Sequence, residues 1–459
     1  MINITASSFA QIVSGTLKNL PGETIIDQIP VINSNNAKKG TFFVAFNGKN
    51  IDGHDFVLNA IDSGAKFALV SKEVDAPSVL VSDVSQALLA LAVFVRNELK
   101  DMKVVGITGS QGKTTTKEFL NSILKSVGET VATEANFNTE IGVPLTILRC
   151  TVNTKFCIVE MGARHIGDIA KLTKVCAPDV GVVLVVGSAH IGEFGSVEAI
   201  AKTKSELIAN LPDGKYAVLG TYDNWTPKMA DGLPIKSILF GHSQSVRDAD
   251  LQLHGGYAHF ELVTPDGRNS VSLQVLGEHQ VPNALAAAAA AYALGISNEI
   301  IAVGLTTAEP DSKWRMQIDD LGGLKIINDY YNANPESMKA AIKTLVLLTQ
   351  ESGGSSWAIL GKMHELGAIE KESHIQIAKF CQDIGVDHLL SVGTDLYKFS
   401  DKEDIGKHMV VHNCASTDAV LQLVSNFSSG DVVLLKASRS EKFEDIAALI
   451  RDKWNGSKE

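Results

Sequence analysis

The chain has 459 residues, of which 45% are hydrophobic and 20% charged, and its formal net charge is −11. This length exceeds one ordinary hydrophobic core and predicts two or three domains. The negative charge argues against a nonspecific nucleic-acid-binding protein and against attachment to a membrane surface through basic residues.

No apolar run reaches the ~18 residues that would suggest a membrane-spanning helix. Residues 1–15 lack the basic region and the apolar stretch of a secretory signal. The five cysteines are scattered and form no CxxC pair, which is typical of reduced thiols. We therefore expect a cytoplasmic protein with no stable insertion into a membrane.

The first block, residues 1–82, predicts a small α/β domain. Short apolar runs at 41–46, 66–71 and 78–82 are separated by turn residues and predict strands. Residues 86–99 then predict a helix that leads into a second block, which we place at 83–309.

Residues 106–116 read GITGSQGKTTT, after a predicted strand and before a predicted helix. The backbone N–H groups of 109–113 would cradle phosphate oxygens, while Lys113 supplies a positive charge and Thr114 a hydroxyl for Mg²⁺. The usual pattern has glycine at position 107, where this chain has Ile107. A glycine turn that touches no ligand is the alternative interpretation.

Two polar residues follow predicted parallel strands of the second block. Glu160 comes directly after the strand 156–159, and His190 follows the strand 180–186. The carboxyl ends of parallel strands form the ligand-binding edge of an open α/β sheet. Alone, Glu160 would more often be a solvated strand end and His190 a structural histidine. Their convergence near Thr114 makes both candidates for holding a hard cation.

The rest of the second block carries weaker signals. Lys202 and Lys204 lie on a predicted helix at 197–211, and periodicity does not decide which of them faces the site. Residues 249–277 alternate around a Pro-Asp-Gly turn and predict an antiparallel hairpin added to the sheet. Asn283 precedes an alanine-rich helix, where it would either cap the helix or offer its amide to an adenine edge.

The third block, residues 310–459, predicts a second doubly wound domain. Its strands are expected at 324–327, 357–360, 388–392 and 432–435, and a helix at 335–348 has Pro335 in its first turn. Arg315 could bind a phosphate through its guanidinium group, and Asp329 could bind a ribose or an amine.

Together these segments resemble the Mur ligase family, the ATP-dependent enzymes that build the peptide of bacterial peptidoglycan. The resemblance covers nearly the whole chain and includes the shorter phosphate loop, which accounts for Ile107. The motifs that carry it are GSQGKTT at 109–115, NFNTEIGVP at 136–144, EMGA at 160–163, the run 190–196, GxHxxxN at 277–283 and YNANP at 331–335. The last motif favours the members that add D-alanyl-D-alanine to UDP-N-acetylmuramoyl-tripeptide over earlier ligases of the pathway and over folylpolyglutamate synthase.

The resemblance implies an α/β fold of three domains. These are a small N-terminal substrate domain, a central P-loop ATPase-like domain with a mainly parallel sheet, and a C-terminal Rossmann-like domain. It also implies a reaction in which a substrate carboxylate takes the γ-phosphate of ATP to form an acyl phosphate. The amine of D-alanyl-D-alanine then attacks the acyl carbon and releases phosphate, so the partners are the two substrates and the chain is expected to be a monomer.

The same resemblance implies roles for individual residues. The phosphate-loop residues are Gly109, Ser110, Gln111, Gly112, Lys113, Thr114 and Thr115. Thr114, Glu160 and His190 would hold Mg²⁺, and Lys204 matches a lysine that is commonly carbamylated. Asn283 would meet adenine, Arg315 the phosphates, and Asp329 the ribose or the incoming amine. The substrate-binding candidates are Ser34, the loop 48–54, Asn136, Asn138, Thr139 and Asn332.

Four positions depart from the family pattern. Asn35 stands where an arginine is frequent, Trp314 and Ala437 replace glycines, and Lys362 replaces an aspartate. Two alternative functions stay open. One is a Mur-like ATP-dependent amide ligase that acts on a different carboxylate acceptor, and the other is a non-catalytic nucleotide-binding regulator.

Overall fold

The N-terminal part is built on a five-stranded sheet. The computed structural model describes residues 1–48, 50–309, 312–398 and 409–456. The strands of this part are β1 (Ile4–Thr5), β2 (Thr16–Lys18), β3 (Ile25–Ile26), β4 (Ile29–Val31), β5 (Thr41–Val44), β6 (Ala68–Val70) and β7 (Ser78–Leu80), and its helices are α1 (Ala6–Ile12), α2 (Val57–Asp62) and α3 (Val84–Glu98). The main sheet has the order β2-β7-β6-β5-β4, parallel except for β2, while β1 and β3 pair separately.

The central part contains a six-stranded sheet that is entirely parallel. Its strands are β8 (Lys103–Thr108), β9 (Thr130–Ala132), β10 (Phe156–Glu160), β11 (Val180–Val183), β12 (Tyr216–Gly220) and β13 (Lys236–Phe240), in the order β13-β12-β11-β8-β10-β9. The helices are α4 (Lys113–Lys125), α5 (Gly142–Leu148), α6 (Asp168–Cys176), α7 (Ile191–Phe194), α8 (Val197–Ala209), α9 (Gln280–Ala293) and α10 (Asn298–Thr306). Glu160 pairs with Ile107 at the carboxyl ends of β10 and β8, which places this carboxylate beside the loop that follows β8.

The expected hairpin near 249–277 is present but differs from its prediction. Three strands, β14 (Arg247–His254), β15 (Tyr257–Thr264) and β16 (Gly267–Leu276), form an antiparallel sheet of their own and do not extend the parallel sheet. Alternate side chains of β15 are buried, which packs one face of this sheet into the core that also contains α9.

The C-terminal part repeats the layered α/β design. Its strands are β17 (Gln317–Asp320), β18 (Lys325–Asn328), β19 (Ser356–Leu360), β20 (His388–Val392), β21 (Val410–Cys414) and β22 (Val432–Lys436), and its helices are α11 (Pro335–Ser352), α12 (Glu370–Asp383), α13 (Thr417–Leu423) and α14 (Phe443–Gly456). The sheet order is β17-β18-β22-β19-β20-β21, with only β17 antiparallel among these six strands.

The predicted α/β class with three sheet-containing parts is confirmed. The predicted elements are present with ends shifted by a few residues, and β11 stops at Val183 where the sequence indicated a strand to 186. The limits at 82/83 and 309/310 stay predictions, and the boundary residue Pro310 lies outside the described residues. Among the described residues, no helix is both long and apolar enough to span a bilayer.

Candidate functional site

The loop between β8 and α4 has the geometry of a phosphate-binding loop. Gly112 is the N-cap of α4, with φ of 83°, and no side chain of the described residues caps this helix, so its first-turn N–H groups can bind an anion. A Cβ at Gly112 would lie 2.1 Å from Oδ1 of Asn283, and the positive φ of Gly112 also favours glycine at this position. Gly106 belongs to β8, which explains why this loop is shorter than the usual pattern.

Lys113 lies among charged neighbours beside this loop. Its Nζ donates to the carbonyl oxygen of Gly109 at 2.9 Å. Burial lowers the pKa of Lys113, Glu160 opposes that shift, and Arg315 adds to it. A bound phosphate would therefore meet two neighbouring cations in a partly desolvated place, where electrostatic attraction is stronger than in water.

Glu160 is the centre of a buried polar cluster. Its side chain accepts from Thr114 Oγ1 at 3.0 Å and from Asn138 Nδ2 at 3.0 Å. Hydroxyl and carboxylate oxygens are ligands that suit Mg²⁺, which usually takes one or two carboxylates plus substrate phosphates and water. The described residues contain no group of three or more His, Cys, Asp or Glu side chains suited to a metal.

His190 lines the same cavity from the start of α7. Its backbone is left-handed, with φ of 63°, and its Nδ1 lies 2.5 Å from Oε2 of Glu365 in the C-terminal part. Burial, followed by Lys113, lowers the pKa of His190, while Glu365 opposes the shift.

The structure distinguishes the two lysines of α8. Lys202 is exposed, whereas Lys204 is only 8% exposed. Burial, with a smaller effect of Lys113, lowers the pKa of Lys204 to about 7. Lys204 therefore points inward and has a substantial neutral fraction near pH 7, although it does not line the main cavity.

The C-terminal part contributes an arginine and a buried ion pair. The guanidinium of Arg315 lies 4.0 Å from the ring centre of Tyr331, and its Nε is buried without a hydrogen-bond partner among the described residues. Asp329 Oδ2 accepts from Lys436 Nζ at 2.6 Å, and Lys436 also donates to the Asn332 carbonyl.

The phosphate loop, Glu160, His190, Arg315 and Asp329 line one cavity of about 440 Å³ between the central and C-terminal parts. The predicted residues that line it are Ser110, Gln111, Gly112, Lys113, Thr114, Thr115, Asn136, Asn138, Glu160, His190, Asn283, Arg315, Asp329 and Asn332. Asn283 lies inside the first turn of α9, whose N-cap is His279, so the interpretation of Asn283 as the cap is wrong.

Four predicted residues do not line this cavity. Gly109 lies directly before the lining segment, Lys204 is buried, and Thr139 is exposed. Ser34 is buried in a short turn of the N-terminal part, separate from the cavity. The loop 48–54 includes Lys49, which lies outside the described residues.

Sequence reasoning missed several residues of the cavity. Lys436 is only 1% exposed and ends β22, so the strand-end rule that found Glu160 would also have found it. Burial lowers the pKa of His279 to about 4, yet this histidine was noted only as part of a motif. Tyr222 and Phe240 also line the cavity, but isolated aromatic residues gave no signal.

Two of the residues that depart from the family pattern make identifiable local contacts. Trp314 has φ of 62°, a conformation that favours glycine, and its ring centre lies 4.3 Å from the guanidinium of Arg439. Lys362 pairs with Glu370 at 3.0 Å and does not line the main cavity.

A phosphate loop, a buried carboxylate and converging cations between two α/β sheets define a nucleotide-dependent enzyme. Residues 30–106, 107–291 and 314–439 match, in order, the Mur ligase family catalytic domain, the Mur ligase middle domain and the Mur ligase glutamate ligase domain. The chain belongs to the Mur ligase family.

Relatives with a stated activity match along the whole chain. The UDP-N-acetylmuramoyl-tripeptide–D-alanyl-D-alanine ligase of Mycobacterium tuberculosis is 34% identical, over 100% of this chain and 99% of the relative. The ligase of the same name from Escherichia coli is 32% identical, over 98% and 99%.

Solved structures agree with this relationship. MurF from Acinetobacter baumannii superposes with a TM-score of 0.88 at 30% identity, covering 98% of this chain and 99% of that one. MurF ligase from Thermotoga maritima in complex with ADP gives 0.81 at 30% identity, covering 94% and 99%.

Proposed function

We propose that this chain uses ATP to join D-alanyl-D-alanine to UDP-N-acetylmuramoyl-tripeptide, which yields the pentapeptide precursor of peptidoglycan. The observation that carries the proposal is the single cavity in which Lys113 and Glu160 of the central part face Arg315 and Asp329 of the C-terminal part. Relatives of that activity match over nearly their whole length. The proposal includes a cytoplasmic location, and the monomeric state stays a prediction.

The first step needs a carboxylate and the γ-phosphate of ATP to approach each other, although both are negative. Lys113 and the open N–H groups of the α4 N-terminus would hold the β- and γ-phosphates, and Arg315 would offset charge that develops on transfer. The carboxylate becomes an acyl phosphate, and ADP leaves. Placement and charge neutralisation are then the main tasks of these residues.

In the second step the dipeptide amine attacks the acyl carbon, and inorganic phosphate leaves from the tetrahedral intermediate. Asp329 and Asn332 lie on the C-terminal wall of the cavity, where they would orient the amine or the ribose. Lys436 holds Asp329 in place through the buried ion pair. Asn136, Asn138 and Thr139 would guide the nucleotide-sugar substrate, and Ser34 with the loop 48–54 would contact its uridine diphosphate.

Mg²⁺ would be held by Thr114, Glu160 and His190, where it would neutralise phosphate charge when bound. Lys204 is proposed to carry a carbamate, because its lowered pKa provides the neutral amine that reacts with carbon dioxide. Carbamylation would replace a buried cation with an anionic oxygen ligand, and Lys204 already acts electrostatically on His190, one of the proposed metal donors.

The alternative acceptors are not favoured by the comparisons. The full-length relatives described above are both named for addition of D-alanyl-D-alanine to the UDP-linked tripeptide. A non-catalytic regulator is also disfavoured, because the loop, Lys113, Thr114, Glu160 and His190 are all present together in the cavity.

A phosphate-release assay tests the function. With ATP and Mg²⁺, we expect release only when both UDP-N-acetylmuramoyl-tripeptide and D-alanyl-D-alanine are present. Lys113→Ala should lower turnover by about 100-fold or more, as expected for loss of a group that stabilises transferring charge. Lys125→Ala removes an exposed lysine from the other end of the same helix and should have no such effect. Phosphate release that did not depend on either substrate would contradict the assignment.

A further inference from the structure

Two left-handed residues meet across the boundary between the central and C-terminal parts. His190 has φ of 63° and Glu365 has φ of 64°, and neither is glycine. Such backbone conformations are unfavourable for residues with a Cβ and tend to persist at functional sites, where the surroundings fix them. Here the two side chains contact each other, with Nδ1 of His190 2.5 Å from Oε2 of Glu365.

The backbones around this pair also interlock. The N–H of Gly192 donates to the carbonyl oxygen of Glu365 at 3.0 Å. A Cβ at Gly192 would lie 2.8 Å from that same oxygen, and a Cβ at Gly367 would lie 2.9 Å from Cα of Gly192. The segments around Gly192 and Gly367 can approach this closely only because both positions are glycine. Each part therefore has a glycine that permits the contact.

The contact determines which nitrogen of His190 is available to the cavity. An ionised carboxylate can only accept a hydrogen bond, so Nδ1 of His190 carries the proton in this pair. Nε2 is then the nitrogen with a free lone pair, and His190 lines the cavity that also contains Lys113 and Glu160. Carboxylates in this relation to a functional histidine fix both the tautomer and the ring orientation.

We propose that Glu365 is a positioning residue for the ligase reaction: from the C-terminal part it orients His190 of the central part, and so completes the site only when the two parts are docked. The inference rests on the proposed function for its kinetic consequence. Its structural content, the tautomer and orientation of one imidazole, is independent of that function.

Three substitutions separate geometry from charge. Glu365→Gly removes the side chain and suits the left-handed backbone. Glu365→Asp keeps the charge but shortens the reach by one methylene, whereas Glu365→Gln loses the charge and keeps an acceptor oxygen. We expect kcat to fall about 10- to 100-fold in the Gly and Asp variants, the range found when such supporting partners are removed, and to stay near the wild-type value in the Gln variant.

A matched control is available in the same part of the chain. Glu441 accepts from a different histidine, His364, at 2.6 Å, and neither residue lines the main cavity. Glu441→Gln should leave kcat unchanged. ADP affinity should be unchanged in every Glu365 variant, so the loss falls on kcat. In a double-mutant cycle, His190→Gln combined with Glu365→Gly should be no slower than His190→Gln alone.

Histidine ¹⁵N NMR gives a readout that does not depend on turnover. With His190→Gln used to assign the signal, the wild-type ring should show the Nδ1–H tautomer, and Glu365→Gly should show a mixture of tautomers. Additive kinetic losses, full activity in Glu365→Gly or an unchanged tautomer would each overturn the proposal. A wild-type protein that shows the expected tautomer but no substrate-dependent phosphate release would instead contradict the proposed function.

Discussion

A buried lysine makes the stability of this protein depend on pH. Lys204 has a folded-state pKa of about 7, chiefly because of burial, whereas the pKa of an unfolded lysine is about 10.4. Between these values the unfolded state binds more protons, so stability should rise with pH. Below about pH 7 the lysine is charged in both states, so the folded protein bears the full free-energy cost of burying a charged amine. Replacing it by methionine removes this dependence.

The expected result is a melting-temperature difference between Lys204→Met and wild type that is largest at pH 6 and shrinks towards pH 10. Thermal unfolding in nucleotide-free, bicarbonate-free buffer measures it. Lys202→Met changes an exposed lysine two residues away and should show no such trend. A Lys204→Met difference that stayed constant with pH would contradict the buried position of the amine.

Single residues show where sequence reasoning succeeded and where it stopped. Glu160 was predictable because strand ends on one parallel sheet meet at one edge, which is a local rule. The partner of His190 was not predictable, because Glu365 is supplied by a different part of the chain and the contact depends on how the two sheets dock. Lys202 and Lys204 are two residues apart and therefore lie on opposite faces of α8. The prediction from sequence did not choose between them, although Lys204 shares the buried face of Ile200 and Ile208.

At the scale of elements, α11 begins with a complete set of capping contacts. Asn334 is its N-cap, and its side chain accepts from the N–H of Ser337 at 2.8 Å. The Ser337 hydroxyl closes the capping box with the backbone of Asn334, and Pro335 fits the first turn. The YNANP motif is therefore a helix start as well as part of the cavity wall, which the sequence indicated only through Pro335.

Loss of this cap should destabilise the C-terminal part. Asn334→Ala removes the acceptor for one N–H group and should cost about 1 kcal/mol. This would lower the melting temperature by roughly 2–4 °C for a unit of this size. Calorimetry without ligands measures the shift, and Ser416→Ala is the matched control, because Ser416 is the N-cap of α13 but makes no side-chain cap bond. Equal shifts in melting temperature for the two variants would contradict the stabilising role of the α11 capping box.

At the scale of the whole molecule, the sequence predicted the class of each part but not how the parts join. Strand and helix types follow from local periodicity, whereas strand order depends on long-range pairing, as the separate β14–β16 sheet shows. One hydrophobic cluster runs from Phe9 and Phe42 through α3 to Val143 and Met161 of the central part. No local pattern reveals such a shared core, and the predicted boundary at 82/83 falls directly before the helix that mediates it.

The central and C-terminal parts share a hydrophobic cluster that includes Leu276 of β16 and residues of α11, and near the site polar contacts also join them. Glu336, in the first turn of α11, accepts from the N–H of Ser188 at 3.1 Å and from its hydroxyl at 2.9 Å. Charge-assisted hydrogen bonds contribute about 1.5–3 kcal/mol each, so this contact is strong enough to bias an equilibrium between docked and separated arrangements by tenfold or more.

Removing Glu336 should therefore shift the ligand-free protein towards separated arrangements. We expect Glu336→Ala to have a larger radius of gyration in small-angle X-ray scattering, and a non-hydrolysable ATP analogue should restore compactness. Apparent KM values should rise in inverse proportion to the docked fraction that remains, because only the docked protein is competent to bind both substrates. Glu372→Ala is the control, since Glu372 is likewise an acidic first-turn residue, on α12, and its side chain accepts from Gln376 of the same helix. An unchanged radius together with a lowered kcat would mean that Glu336 acts within the site and does not hold the two parts together.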